Sequence, residues 1–511
     1  MSTASEAERR ETQRRDQESG ARGAGTNFLT LAGQTSLLLF QMLGTNLFGA
    51  TIWGAYAFGL SVLDVCGRLG LAGSDKGVMI FVAARRAKGD TEGEDRALAT
   101  GIRLSLAMGI ILAVVVFGAS WTVAAFYKTP AYGQAMRYLA PAIPMVALAT
   151  VLLAGTIAYK NLRYNLLVKG ISEPAIRITL VAALGLGLTT KGLGSLAFVH
   201  VISLVATVAI AAWGFGRVFS LKRTLTGIRS APFDRTMVLY ALPLAVGELV
   251  NSFLAQTNVF VLGKQRPIED VGVYAACVVL ANAVSFVRSA FDTVVAPVAA
   301  EAWAHGDHPR LAAYVKLMSR LVLLCAVPLA GLFLVGGPAM LALHGPDFVR
   351  GARTLSLLVV GHVVNASWGL AGWVLLASGR SKTVLANNLG AVALNIGLCL
   401  VLIPRYGIEG AAASATIAVI VLHIVQSIEA WVLARSHPLS WGFARLASLG
   451  TLVIGAQLGL NQVLGGHVYV RGIGLSIVGA LAFFALAWWL APPDERDVLR
   501  AMLRLKRKQR S

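Results

Sequence analysis

Charged residues are scarce in this chain. They make up 14% of 511 positions, whereas 56% are hydrophobic, and the mean hydropathy is +0.68. This composition excludes an ordinary soluble globular protein. Runs of about 20 apolar residues, each long enough to cross a ~30 Å hydrocarbon core, recur along the chain with no room for a soluble domain between them. We therefore predict an all-α polytopic membrane protein with about 14 transmembrane helices.

Several functional signatures are also missing. The four cysteines, Cys66, Cys277, Cys325 and Cys399, lie in predicted spans without metal-ligand spacing, so we expect small core residues rather than disulfides or metal ligands. No GxxxxGK[ST] phosphate loop is present. The first 26 residues contain no apolar signal-peptide segment. We expect a protein that is not an enzyme and that uses neither a cofactor nor a metal.

The apolar runs and the basic residues predict the organisation of the chain. Most of the 45 lysines and arginines lie in the tails and even-numbered loops, which predicts that both termini are cytoplasmic. The net charge of +20 is then a signal of topology and does not indicate nucleic-acid binding. The predicted segments are a disordered cytoplasmic tail (1–26), an N-terminal six-helix lobe (27–216), a cytoplasmic inter-lobe loop (217–235), a C-terminal six-helix lobe (236–433), two additional transmembrane helices (445–491) and a basic cytoplasmic tail (492–511).

The two lobes are related by an internal repeat. The segment WGAY at 53–56 matches VGVY at 271–274 with an offset of 218 residues, and KGD at 88–90 matches HGD at 305–307 with an offset of 217. Asp75 matches Asp292 at the same offset of 217. Several matches in one order predict a parallel repeat with a cavity between the lobes, which is a transporter architecture.

A family resemblance follows from several segments: FGxxxxGxYAFGLSVLD at the entry to the second span, RRAKGD, EDVGVYAACVVL, AEAWAHGD and SGRSKTVLANNLGAVALNIGLCLVLIPRYGIEGAAASATIA. They resemble the polysaccharide-transporter branch, the oligosaccharide flippases, of the multidrug/oligosaccharidyl-lipid/polysaccharide flippase superfamily. The resemblance covers roughly residues 27 to 433. It implies a central cavity lined largely by spans 1, 2, 7 and 8.

The resemblance also implies a function. Such a flippase moves polyprenyl-pyrophosphate-linked oligosaccharide units from the cytoplasmic to the periplasmic leaflet by alternating access, for O-antigen, capsule or exopolysaccharide synthesis. The expected partners are this lipid-linked substrate, membrane lipids, and the polysaccharide polymerase and assembly proteins, with no nucleic acid, and the protein is expected to act as a monomer.

Polar residues inside the membrane concentrate on the same four spans, and ionisable residues there usually face water or a partner. They predict a substrate cavity lined by Gln34 and Gln41 of span 1 (27–49), Asp64, Arg68, Asp75 and Lys76 of span 2 (55–83), Glu248, Asn251 and Gln256 of span 7 (236–262), and Arg288 and Asp292 of span 8 (272–299). On a continuous helix, Asp64, Arg68 and Asp75 share one face, with Lys76 beside it.

The chemistry of these side chains suits a diphosphate sugar headgroup. Guanidinium and ammonium groups bind phosphate oxygens, so Arg68, Arg288 and Lys76 are candidate diphosphate ligands, and the amides suit sugar hydroxyls. Glu248 is a candidate for ion coupling, because its own helix carries no basic residue one turn away. In the alternative interpretation, Asp64 with Arg68 and Arg288 with Asp292 are self-neutralising pairs that only hold helices together.

Three other functions remain open. A lipid II flippase of peptidoglycan synthesis is favoured by fourteen spans. A cation-coupled multidrug exporter would have a more acidic and aromatic cavity. A membrane-embedded polymerase or glycosyltransferase would need large periplasmic loops or a catalytic domain, for which the predicted loops are too short.

Overall fold

The computed structural model describes residues 3–187, 192–465 and 467–490, with side chains from Ser36 onward except at 293, 294 and 468. Within that part, every regular element is a helix. The α-helices are α1 (Thr3–Leu71), α2 (Ser74–Ala87), α3 (Thr91–Tyr127), α4 (Pro130–Leu139), α5 (Ala142–Ala158), α6 (Arg163–Asn165), α7 (Glu173–Gly185), α8 (Leu193–Gly216), α9 (Leu221–Ser230), α10 (Arg235–Gln265), α11 (Ile268–Ala304), α12 (His308–Val335), α13 (Gly337–Ala342), α14 (Ala352–Trp368), α15 (Ala371–Ala377), α16 (Ser381–Ala434), α17 (Trp441–Val463) and α18 (Val468–Leu490). A π-helix (Leu166–Ser172) precedes α7, and a 3-10 helix (Pro346–Gly351) precedes α14.

Both predicted tails fall largely outside this description. Residues 1–26 were predicted to be a disordered tail. From Thr3 onward this segment is part of helix α1, and its side chains lie outside the described residues. The basic tail at 492–511 also lies outside them. The predicted inter-lobe loop, 217–235, contains a helix, α9.

Helix α1 folds back on itself at Gly49, whose φ of 72° and ψ of 176° are not helical. The rings of Phe40 and Tyr56 lie 6.4 Å apart, centroid to centroid. In a straight helix these residues would be separated by about 24 Å along the axis, at ~1.5 Å per residue. Only a residue that tolerates positive φ fits this position without strain. Spans 1 and 2 are therefore two antiparallel segments joined at one glycine.

Helix α16 also folds back on itself at a glycine. Gly407 is non-helical, with φ 57° and ψ −130°, and the Asn387 side chain donates a hydrogen bond to Glu429 Oε2 at 2.6 Å. These two residues would be about 63 Å apart in a straight helix. The contact shows that the segments before and after Gly407 run side by side.

The number of spans predicted from the sequence, fourteen, is not confirmed. Nine described helices are long and apolar enough to cross a membrane, or up to eleven if two bent pairs each count as one span. This count takes Ser36–Ala87 and Ser381–Ala434 as one helix each, although each folds back at a glycine. The predicted fifth span falls on the π-helix and α7, which are not in the count.

The chain forms two compact units. One contains Ala32–Ala276 and Cys399–Ile408, and the other contains Cys277–Leu398, the chain from Glu409 onward and the start of α1 to Leu31. Helix α10 belongs to the first unit, where Met237 packs into a buried apolar cluster with Val78, Val151 and Phe215. In the second unit, one buried cluster joins α12 to α17 and α18 through Val327, Leu446 and Phe483 among others.

The repeated KGD and HGD motifs form the same local structure. Gly89 and Gly306 have positive φ, 71° and 68°. Asp90 then caps α3 by accepting the Gly93 N–H at 2.8 Å, and Asp307 caps α12 by accepting the Arg310 N–H at 3.0 Å. A carboxylate in this position satisfies a backbone donor that the first helical turn leaves free.

Candidate functional site

The candidate site in the first unit is a pocket where α1, α2 and α10 meet. It encloses about 240 Å³ of space that includes open solvent. Four of its lining residues are charged and four are small or apolar: Arg68, Asp75, Lys76 and Glu248, with Leu71, Gly73, Leu244 and Ala245. All four charged residues were predicted as site residues from the sequence.

Arg68 joins the two sides of this pocket. Its Nη1 lies 3.3 Å from Glu248 Oε2 on α10, and its Nε lies 3.9 Å from Asp64 Oδ1 on its own helix. Both carboxylates and the guanidinium are about 40% exposed. Exposed ion pairs contribute little to stability because solvent screens them. Arg68 is therefore accessible and can exchange its partners.

Asp64 is held in place by α10. Ser252 Oγ donates a hydrogen bond to Asp64 Oδ2 at 2.6 Å, and Gln256 Nε2 donates to the same oxygen at 3.4 Å. Gln256, predicted to contact sugar hydroxyls, thus orients the carboxylate that in turn approaches Arg68.

The structure corrects the prediction that Asp64, Arg68 and Asp75 share one continuous helix face. The chain leaves the helical conformation at Ala72 and Gly73, with φ values of 45° and 76°, and a new helix, α2, begins at Ser74. The break lies where α2 meets α10 closely, since a Cβ on Gly73 would overlap the backbone carbonyl of Ala241. Spacing along one helix therefore does not relate Asp75 to Asp64.

The break nevertheless brings Asp75 and Lys76 into the same pocket as Arg68. Both residues lie in the first turn of α2, and Lys76 Nζ is 4.0 Å from Asp75 Oδ2. Helical geometry predicts Lys76 beside the polar face of span 2 and not on it, and in the structure Lys76 lines the pocket.

Glu248 has a basic partner that its own helix does not reveal. No lysine or arginine lies one helical turn from Glu248 in the sequence, but Arg68 of α1 donates a hydrogen bond to its carboxylate. The pocket and its immediate surroundings hold two cations, Arg68 and Lys76, and three carboxylates, Asp64, Asp75 and Glu248. The charge of Arg68 is thus compensated, and an anion can bind it only in competition with these acids.

The remaining predicted residues of this unit differ in their surroundings. Gln41 is 2% exposed, and neither atom of its amide has a hydrogen-bond partner among the described residues. Asn251 is exposed on α10. The side chain of Gln34 lies outside the described residues.

Arg288 and Asp292 form a separate polar cluster in the second unit. Arg288 Nη1 donates to the backbone carbonyl of Asn365 at 3.1 Å and to its side-chain oxygen at 2.8 Å. Asp292 Oδ1 accepts from Arg288 Nε at 3.4 Å and from the indole of Trp373 at 2.7 Å. The pair expected from four-residue spacing exists, but most contacts of Arg288 are to α14.

Asn365 is the centre of this cluster, and sequence reasoning missed it. Besides Arg288, its side-chain oxygen contacts His423 Nε2 at 2.9 Å, and its amide donates to Ser285 Oγ at 3.3 Å. Ser285 Oγ in turn lies 2.7 Å from His362 Nδ1. In the sequence, Asn365 is only an isolated asparagine in an apolar span, and several other asparagines and glutamines fit the same description.

Comparison with known protein families shows to which family the chain belongs. A family model described as "Polysaccharide biosynthesis protein" matches residues 88–350, just over half of the 511 residues. The chain belongs to this family. The match includes Glu248, Asn251, Gln256, Arg288 and Asp292, and it begins after the polar residues of α1 and the first turn of α2.

Solved structures show the fold of this polysaccharide biosynthesis family member. It is similar to the inward-facing conformation of a multidrug resistance MATE family transporter of the MOP superfamily, with 16% identity, a TM-score of 0.68, and coverage of 79% of this chain and 94% of that chain. It is also similar to the lipid II flippase MurJ in an inward closed conformation, with 13% identity, a TM-score of 0.64, and coverage of 91% and 97%. No curated protein matches the chain.

Family and fold agree with the sequence resemblance: the chain belongs to a polysaccharide biosynthesis family, and its fold is similar to those of the MATE transporter and of MurJ. Its described residues contain no group of three or more His, Cys, Asp and Glu side chains that could hold a metal ion. The side chains that line the pocket can form reversible ionic contacts and hydrogen bonds.

Proposed function

We propose that this protein is a bacterial inner-membrane flippase, with both termini cytoplasmic, that moves polyprenyl-pyrophosphate-linked oligosaccharides from the cytoplasmic to the periplasmic leaflet by alternating access. The observation that carries the proposal is the accessible Arg68 and Lys76 in a polar pocket of a polysaccharide biosynthesis family member. We propose further that it acts as a monomer and delivers its substrate to polysaccharide polymerase and assembly proteins.

The headgroup would bind through its charge and its hydroxyls. A diphosphate offers oxygens that a guanidinium binds in bidentate fashion and an ammonium binds as a point charge. Arg68 and Lys76 supply these two groups, and Asn251, which is exposed on α10, carries an amide of the kind that sugar hydroxyls bind. The polyprenyl tail remains in the bilayer, so no bond has to break and no nucleophile is needed.

Glu248 supplies a way to couple headgroup binding to an ion. While Glu248 is ionised, it competes with the diphosphate for Arg68. A coupling ion that neutralises Glu248 removes this competition, and the guanidinium can then turn to the anionic substrate. Binding of the ion and binding of the substrate then favour each other, as a coupled transporter requires.

The fourteen-span lipid II flippase remains the second candidate, since a likeness to such a flippase extends over 91% of this chain. Lipid II also carries a diphosphate, and the pocket does not discriminate between the two headgroups. The acidic residues around Arg68 are the observation that favours a cation-coupled multidrug exporter.

A gene deletion separates these functions. We expect complete single repeat units to accumulate on polyprenyl diphosphate in the cytoplasmic leaflet, with loss of the surface polymer, and wild-type protein to reverse both effects. Accumulation of lipid II instead would establish the second candidate. Unchanged lipid-linked sugars together with increased drug sensitivity would establish the exporter and reject the flippase.

A further inference from the structure

Helix α9 lies in the connection between two membrane helices. Helix α8 ends at Gly216 and α10 begins at Arg235, and both are long and apolar enough to cross a membrane. A ten-residue helix, Leu221–Ser230, that joins two such helices has to lie close to the membrane surface. By the distribution of basic residues, this surface is predicted to be the cytoplasmic one.

One side of α9 packs on α3. Thr224 is buried, and a Cβ on Gly227 would stand 3.8 Å from Ala99 Cβ and 3.9 Å from the Asp95 carbonyl oxygen. Arg223 forms an ion pair with Asp95. These contacts determine which side of α9 faces the protein and which side faces away.

The chain after α9 is held as well. Arg103 Nη2 on α3 donates to the carbonyl of Ala231 at 2.8 Å and lies 3.4 Å from that of Pro232. Asp234, which is 4% exposed, pairs with Arg85 on α2. Helix α9 is thus fixed at both its packed face and its C-terminal end, so it cannot turn its outer face inward.

The outer face of α9 combines apolar and cationic side chains. Leu221 and Leu225, one turn apart, are 48% and 63% exposed. Lys222 and Arg229 are exposed next to them, about 100° and 80° around the helix from Leu221. An apolar stripe bordered by cations is typical of helices that lie in the plane of a bilayer with anionic headgroups.

Exposed aromatic side chains lie near both ends of the connection. Trp213, near the end of α8, and Tyr240, in the second turn of α10, are both 51% exposed. The Arg217 guanidinium lies over the Trp213 ring, 5.4 Å from its centroid. Exposed Trp and Tyr side chains accumulate at membrane–water interfaces, which supports an interfacial position for the helix between them.

We propose that α9 is an interfacial helix that binds anionic phospholipid: Lys222 and Arg229 contact the headgroups, while Leu221 and Leu225 enter the acyl boundary. Because Arg223 and Arg103 tie α9 and its C-terminal extension to α3, a lipid bound here contacts an element of the first unit that packs directly on a membrane helix. This site is separate from the headgroup pocket of the proposed function, and its test does not require transport.

The position of the apolar face is tested with spin labels. The full-length protein, with its four cysteines replaced by alanine, is labelled at Leu225→Cys or at Thr226→Cys and placed in nanodiscs of phosphatidylcholine with phosphatidylglycerol. We expect oxygen to relax the label at 225 more than an aqueous nickel complex does, and the reverse at 226. A water-exposed label at 225 overturns the proposal, as does dipolar broadening at 225, which would show that a second copy covers this face.

The headgroup contact is tested by lipid retention. Native mass spectrometry compares phosphatidylglycerol with phosphatidylcholine bound to the wild type, to the variant Lys222→Gln/Arg229→Gln, and to the control Arg380→Gln/Lys382→Gln, which has the same charge change on exposed residues of another connection. We expect a roughly thirtyfold lower preference for phosphatidylglycerol in the α9 variant, about fivefold for each cation, and little change in the control. Equal effects in both variants, or none in either, overturn headgroup binding at α9, whatever the depth of residue 225.

Discussion

Gly54 and Gly272 occupy equivalent positions in a reciprocal helix crossing. A Cβ on Gly54 would overlap the backbone carbonyl of Ile268, and a Cβ on Gly272 would overlap that of Ala50. Gly54 is separated from Gly272 by 218 residues, and Ala50 from Ile268 by the same number. Each helix thus presents its glycine to the same backbone position of the other, as a local two-fold axis requires.

A hydrogen bond at the same crossing joins another pair of equivalent residues. Thr51 Oγ1 donates to Glu269 Oε1 at 2.8 Å, and these residues are also 218 positions apart. The two copies of the repeated motif, WGAY and VGVY, are therefore similar in sequence and also lie where their two helices contact each other.

The crossing predicts that small residues are required at Gly54 and Gly272. Replacement of either by alanine places a methyl group against a backbone carbonyl that cannot rotate away, and overpacking of this kind costs about 1–3 kcal/mol. We expect Gly54→Ala and Gly272→Ala each to lower the Tm of the detergent-purified protein. Gly118→Ala on α3 is the control, because nothing lies within 4 Å of its added Cβ. Equal Tm values for Gly54→Ala and Gly118→Ala would contradict the close crossing.

Arg68 is predicted to be required for function but not for folding. Its guanidinium is 45% exposed and its ion pairs are open to solvent, so Arg68→Ala should change the free energy of unfolding by less than about 1 kcal/mol. We expect loss of complementation in the deletion strain at a normal membrane level of the protein, with partial rescue by Arg68→Lys. A protein level that falls in proportion to activity would instead support the helix-packing interpretation.

Arg288 is predicted to behave differently from Arg68. It is 22% exposed and donates hydrogen bonds to Asn365 and Asp292, so Arg288→Ala removes a charged donor from a partly buried carboxylate and from a partly buried amide oxygen. Loss of charged hydrogen bonds of this type costs about 2–3 kcal/mol. We expect a lower Tm and a lower membrane level than for Arg68→Ala, measured on both variants in parallel. A stable but inactive Arg288→Ala protein would show that its main role is contact with substrate.

The contrast between these arginines shows what the sequence could and could not predict. Both were found because an ionisable residue in an apolar run is conspicuous, and both have a carboxylate four residues away on the same helix. Their decisive partners, Glu248 and Asn365, lie 180 and 77 residues away. Spacing along one helix reports neighbours on that helix, whereas contacts between helices depend on packing that a single sequence does not reveal.

Features of the local backbone also divide into those that depend on nearby residues and those that depend on packing between helices. The repeated motif was found at KGD and HGD, and the helix caps that Asp90 and Asp307 form there depend only on residues close in sequence. The helix break at Ala72 and Gly73 was not, because glycine within an apolar run is compatible both with a continuous helix and with a bend. Contact with α10 at Ala241 accompanies the bend, and that contact is a tertiary feature.

Gln41 provides a test of whether a buried polar residue serves packing or binding. Both atoms of its amide are buried without a hydrogen-bond partner among the described residues, and such a group costs about 1–3 kcal/mol. If it has no ligand, Gln41→Met, which keeps a similar shape, should raise the Tm and leave transport unchanged. A lower transport rate with a normal Tm would show that the amide binds substrate during the cycle.

Glu248 should link transport to a proton gradient. In proteoliposomes that contain a fluorescent polyprenyl-diphosphate sugar, we expect an imposed gradient to accelerate flipping by the wild type. Glu248→Gln removes the carboxylate charge that pairs with Arg68, so its flipping rate should no longer respond to the gradient. Glu429→Gln is the matched control, since Glu429 is also an intramembrane carboxylate but accepts its hydrogen bond from Asn387. If both variants still respond to the gradient, proton coupling does not run through Glu248; if neither the wild type nor the variants respond, a proton gradient does not drive flipping and the proposed role of Glu248 in proton coupling is wrong.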